Sequence, residues 1–394
     1  MKKSSVILPI IVLAQFCCTS LWFAGNGVMS DLVKTFGLDS GATGYLTSAV
    51  QLGFIFGTLV FALLTIADRF SPSKVFFTCA ILGALSNLCI TWDGNVYDSI
   101  LVFRFSTGFF LAGIYPVGMK IAADYFEKGL GKALGFLVGA LVLGTAFPHF
   151  LKDSLNHISW KSVLYATSLI ALLGGIAMLL FVPDGPFRKP SQKLDVKAFL
   201  KVFEVKNFRA AAFGYFGHMW ELYAFWAFTP VIIEYYKSYH NINSLNTSLL
   251  SFIIIGLGGL ACVLGGFLAS RYSTKKVAFS ALSLSCLCCL LSPFFLTNPN
   301  EVLFIAFLIF WGLVVIADSP LFSTLVAQNA NVKIKGTALT IVNCIGFSIT
   351  IFSIQLLNYL IEVSTSSSIF MILSIGPILG LTAFYGYKKR PYKV

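Results

Sequence analysis

Apolar runs of roughly 20 residues, set apart by short polar gaps, follow one another along this 394-residue chain from end to end. A run of that length crosses a hydrocarbon core of about 30 Å as a helix, which satisfies its own backbone hydrogen bonds where water cannot. Twelve are legible: Val6–Ser30, Gly44–Ala67, Val75–Trp92, Ser99–Ala122, Ala133–Leu151, Lys161–Val182, Phe208–Ile232, Thr247–Ala269, Val277–Leu296, Val302–Val326, Thr337–Leu360 and Ser368–Tyr387. They predict an all-α membrane protein of twelve transmembrane helices, without the short alternating segments of a barrel. The first run is longer than the core of a signal peptide and eleven more follow, so it reads as an uncleaved helix.

The polar gaps carry a second pattern. ADRFSPSKVFF (67–77), between spans two and three, and ASRYSTKKVAF (269–279), between spans eight and nine, agree at six of eleven positions. Gly108 and Pro116 of span four match Gly312 and Pro320 of span ten at a shift of 204, and Gly131, Ala133 and Leu134 match Gly336, Ala338 and Leu339 after a one-residue insertion. The chain therefore reads as a duplication: a bundle over 1–182, a Pro-rich basic linker over 183–207 and a second bundle over 208–394. An even number of spans per repeat gives both the same orientation, as parallel repeats about the membrane normal.

Composition fits this frame, with 57% hydrophobic and 11% charged residues, where a soluble domain carries about 25% charged. With the N-terminus in the cytoplasm, 23 of the 28 Lys and Arg fall on the cytoplasmic side, as short-loop charge bias requires. The net charge of +12 then reports topology, with no nucleic-acid partner. The expected setting is the cytoplasmic membrane, with both termini inside, the lipid bilayer as surroundings and a monomer as the unit. All nine cysteines lie in apolar runs and read as packing residues. Cys286, Cys288 and Cys289 lack the spacing of a metal site, so no metal is expected.

The duplication, the twelve spans, Asp68-Arg69 with Lys74, the related Arg271, Lys275 and Lys276, and Arg104-x-x-x-Gly108 together resemble the major facilitator superfamily over essentially the whole chain. The loop motif departs from the family's: Leu64 and Ser71 replace its usual glycines, and Pro72 is inserted before the basic residue. The resemblance implies alternating access between two six-helix bundles. It also implies a conformational motif formed by Asp68, Arg69, Lys74 and Gly108, with the Asp68 carboxylate facing the start of span eleven, where a helix N-terminus favours an anion. Spans one, four, seven and ten would surround the central site. The span-seven stretch GHMWELYAFW resembles that of nitrate and cyanate permeases.

Polar residues found in one repeat only are the better candidates for chemistry. Arg104 aligns with Leu308, His218 with Phe16, Glu221 with Thr19, Asp318 with Ile114 and Asp68 with Ser270. Ionisable groups inside a span are costly and functional by default. Glu221 and Arg104 lie at similar depth, about 20 Å from the cytoplasmic end at 1.5 Å per residue, so the two are expected to approach across the centre. Asp318 is either a second titrating group or the partner of Lys120. His218, Trp220 and Tyr223 beside Glu221, with Trp22, Asn26 and Gln51 in the first two spans, are the remaining candidates for binding solute.

These residues suggest a secondary active transporter for a small polar or anionic organic solute, driven by the proton gradient and needing no cofactor. A carboxylate away from water can hold a proton in one state and release it in another, which gives Glu221 and Asp318 the coupling role. Arg104 stays charged and needs an anion. The alternative is a proton-coupled exporter of drugs or metabolites, although span five lacks the Gly-Pro pair usual there. No nucleotide-binding loop is present, and no clustered nucleophile and base suggests an enzyme.

Overall fold

The computed structural model describes residues 4–39, 41–126, 130–155, 157–188, 202–331 and 335–386. Most of the basic linker (189–201), Lys128, Lys333 and both chain ends lie outside them. Regular structure among the described residues is entirely helical. Ten helices are long and apolar enough to cross a membrane: Ala42–Leu63, Pro72–Cys89, Tyr97–Tyr125, Leu130–Ser154, Lys161–Phe181, Thr247–Tyr272, Thr274–Thr297, Glu301–Asn329, Gly336–Val363 and Ser367–Tyr385.

Two more complete the twelve. Span one is interrupted, running Ser4–Thr19, Ala24–Gly27 and Met29–Phe36. Span seven is the 35-residue helix Lys206–His240, its apolar character diluted by His218, Glu221, Glu234 and several tyrosines.

The duplication is visible in the packing. Span two lies on four, three on four and six, and one on five and six; span eight lies on ten, nine on ten and twelve, and seven on eleven and twelve. At the crossing of spans two and four, a Cβ on Gly108 would stand 2.0 Å from the Val50 carbonyl, and at that of eight and ten a Cβ on Gly312 would stand 2.4 Å from the Ile254 carbonyl. Val50 and Ile254 are separated by the same 204 positions as the two glycines. Spans four and ten also break at corresponding places and resume as Tyr115–Tyr125 and Ser319–Asn329, with Pro116 and Pro320 in the first turn. A proline there sacrifices no helical hydrogen bond.

The first and last six spans meet along two seams, two against eleven and five against eight. The end of the bundle nearest 183–207 is termed the linker end. At the far end, Gly44 N–H donates to Asn358 Oδ1 at 3.2 Å, Gln355 Nε2 donates to Ser48 Oγ at 2.8 Å, and Asn246 donates to Asp153. Spans five and eight cross at Gly139 and Gly259, where a Cβ on either would lie 3.3 or 3.1 Å from the other's carbonyl.

Candidate functional site

Arg104 lies in span four beside the break in span one. The interruption after Thr19 leaves carbonyls without helical partners, and the guanidinium takes them up: Nη2 donates to Trp22 O at 2.6 Å and Nη1 to Leu21 O at 3.3 Å. Asn26 Oδ1 is a more distant acceptor at 3.5 Å, while its Nδ2 donates to Thr47 Oγ1 at 2.7 Å. Gly25 makes the approach possible, since a Cβ there would press to 3.2 Å from Arg104 Cζ. Arg104 is 1% exposed, its Nε has no protein partner, and among the described residues no carboxylate lies within 4 Å of it.

The expected pairing of Arg104 with Glu221 is therefore absent. Glu221 turns instead toward spans nine and ten of its own bundle. Its Oε1 accepts from Trp311 Nε1 at 2.6 Å, from Ser285 Oγ and from Cys289 Sγ at 3.2 Å, and its Oε2 has no protein partner. One turn away, His218 Nδ1 stands 2.8 Å from Asp318 Oδ1, both side chains being buried. Asp318 is thus not the partner of Lys120, which pairs with Asp68 at 3.0 Å and Asp124 at 3.7 Å. The break in span ten turns Asp318 inward toward span seven. His218 Nε2 and Asp318 Oδ2 are left without protein partners.

Between Arg104 and these acids lies a buried aromatic cluster drawn from both bundles. Trp22 of span one contacts Phe54 of span two at 4.8 Å between centroids, and Tyr223 of span seven and Phe347 of span eleven, each at 5.8 Å. Phe54 and Phe347 are 4.5 Å apart, Tyr223 and Phe347 5.2 Å, and Tyr223 and Trp226 5.3 Å. Trp22 Nε1, Trp226 Nε1 and both amide atoms of Gln51 are buried without protein partners, a costly condition that a polar ligand would relieve. Trp220 does not join them. It lies about 120° round the helix from Trp226, and its Nε1 donates to Ile372 O of span twelve at 3.1 Å.

At the linker end, Arg188 Nη2 donates to the Asp68 and Phe70 carbonyls at 2.9 and 2.8 Å, and Arg69 Nε to Thr65 Oγ1 at 3.2 Å. Lys74 is exposed. Residues 332–334, just before span eleven, are outside the described part of the chain.

The sequence profile of the Major Facilitator Superfamily matches residues 11–354. The chain belongs to that superfamily. It is similar to the 4-hydroxybenzoate transporter PcaK of Pseudomonas aeruginosa, 26% identical over 163 residues, which are 39% of this chain and 34% of the relative. The alignment thus spans about a third of that transporter's length. Two solved superfamily structures share the fold. The human organic anion transporter MFSD10 matches with a TM-score of 0.76 and 15% identity, over 97% of this chain and 99% of its own. The proton:xylose symporter XylE matches with a TM-score of 0.77 and 13% identity, over 98% and 95%. The protein is accordingly a multi-pass membrane protein of the superfamily's twelve-helix form.

Within this superfamily fold, none of the residues that hold Glu221 was read from sequence as its partner, and Cys289 was read only as a packing residue. Trp311 carried a usable signal: a tryptophan in mid-span beside Gly312, where the first repeat has Thr107. Ser285, Phe54 and Phe347 carried none, being ordinary letters in apolar runs.

Proposed function

We propose that the protein couples a proton to the movement of a small organic anion, an aromatic monocarboxylate first of all, inward across the cytoplasmic membrane with both termini in the cytoplasm. Arg104 pairs with the anion's carboxylate, Asn26 and Gln51 complete its polar contacts, and Trp22 and Tyr223 pack on its ring. Glu221 carries the proton, with Asp318 and its partner His218 as a second proton-holding pair. Asp68, Arg69 and Lys74 stabilise one access state through the linker-end network, and Gly108 keeps spans two and four close.

The observation that carries this reading is a buried guanidinium held by backbone carbonyls and lacking a carboxylate. Such a group keeps its charge and favours an anion with two acceptor oxygens. Buried carboxylates in the opposite bundle, bound to neutral donors or to histidine, complement it. The names of the hydroxybenzoate and organic anion transporters support the solute class, and that of the xylose symporter supports proton coupling.

Purified protein in proteoliposomes with an imposed pH gradient tests the reading. Labelled 4-hydroxybenzoate or benzoate is expected to accumulate on the alkaline side while xylose does not. Accumulation indifferent to the pH gradient removes the proton, and the absence of any uptake of organic acids removes the anion.

A further inference from the structure

Spans five and eight separate from the Gly139–Gly259 crossing toward the linker end, and the space between them is a groove of about 340 Å³. Phe136, Val263 and Phe267 line it, with Gly135 and Gly266 widening it. A Cβ on either of those glycines would meet nothing within 4 Å, and Phe267 is 60% exposed. An apolar wedge open at the side of a membrane helix bundle faces acyl chains.

The mouth is basic. Lys132, the one charged residue of the lining, extends over the Phe136 ring at 5.9 Å, and Arg271, one turn beyond Phe267, lies over Tyr272 at 5.7 Å. Neither has a carboxylate within 4 Å among the described residues. Long basic side chains near a helix end keep their heads at the interface while their stems cover apolar surface, which is where a phospholipid carries its phosphate.

The geometry points to an anionic phospholipid of the surrounding leaflet as the occupant, one acyl chain in the wedge and the headgroup phosphate between Lys132 and Arg271. The two walls belong to opposite bundles, so the chain must leave before the bundles close at this end. Occupancy therefore favours the state open there.

Native mass spectrometry of the full chain, released from nanodiscs containing equal phosphatidylglycerol and phosphatidylcholine, tests this. One phosphatidylglycerol is expected to be retained in preference, with Lys132→Gln and Arg271→Gln each lowering its retention about five-fold. Gly266→Leu, whose Cβ meets nothing within 4 Å and whose longer side chain enters the groove, is expected to expel the lipid while leaving the thermal midpoint unchanged. Equal retention of both lipids, or preference unchanged in the three variants, overturns the assignment. Displacement of the lipid by benzoate assigns the groove to the transported solute instead and also overturns it.

Discussion

Asn358 of span eleven occupies the space that a side chain on Gly44 of span two would need: a Cβ there would stand 2.6 Å from Asn358 Cγ and 2.8 Å from its Cβ. The same asparagine accepts the Gly44 N–H. At this crossing of spans two and eleven, closure of the far end thus rests on a missing side chain and an uncharged amide. Gly44→Leu is expected to hold the far end open, raising the reactivity of a cysteine placed at Ser48 toward impermeant reagents from that side and lowering uptake about five-fold or more, as overpacking of about 1–3 kcal/mol would. Wild-type reactivity in Gly44→Leu would falsify the seam as a gate.

Arg104 anchors the broken part of span one through two backbone carbonyls, so Arg104→Lys keeps a charge but loses the fork that reaches both. Uptake of an aromatic acid is expected to fall about ten- to a hundred-fold, the loss typical of a buried charge-assisted hydrogen bond. The thermal midpoint measured without solute separates the roles. If Arg104→Lys unfolds at a lower temperature but transports at the wild-type rate when folded, the residue is structural only.

Glu221→Gln retains an oxygen to accept from Trp311 and Ser285 while removing the titration. Exchange of labelled for unlabelled solute is expected to persist, whereas accumulation driven by a pH gradient is lost. Accumulation equal to wild type moves the coupling to Asp318 and His218. Loss of exchange as well as accumulation assigns Glu221 to binding or to structure.

Gly108 and Gly312 meet carbonyls of the helix they cross, and a backbone cannot step aside as a flexible side chain can. Gly108→Ala is expected to cost about 1–3 kcal/mol, read as a lowered unfolding temperature in detergent. Gly131→Ala serves as the control, because a Cβ there meets nothing within 4 Å and alanine is the better helix former. Equal midpoints for the two variants would contradict the close crossing.

The apolar runs showed all twelve spans because each must cross the same hydrocarbon core. The helices formed still differ in length, with 18 residues in Pro72–Cys89 and 35 in Lys206–His240. The prolines at positions 116 and 320 were legible only as a landmark of the repeat; that spans four and ten both break just before them is what the structure adds. Counting residues along each span placed Arg104 and Glu221 at a similar expected height. Azimuth was not legible, since a residue's direction around its helix depends on how neighbouring helices are turned, and Glu221 turned away from Arg104. The acceptors of Arg104 were also hidden, because backbone carbonyls have no letter and are freed only where span one breaks. Phe54 and Phe347, two of 39 phenylalanines, became distinct only when spans two and eleven brought them together.

The separation of Arg104 from every described carboxylate has an electrical consequence. A loaded carrier with Arg104 bound to a monovalent anion and Glu221 protonated moves no net charge at these positions, and the empty carrier with Arg104 positive and Glu221 negative also moves none. Membrane voltage, worth about 2.3 kcal/mol per charge at 100 mV, then does no work on either crossing. Transport of a monocarboxylate should be electroneutral: clamping the potential at zero with potassium and valinomycin is expected to leave accumulation intact, while dissipating the pH gradient abolishes it. A carrier of this kind follows acidity alone and keeps working in a cell whose membrane has lost its charge.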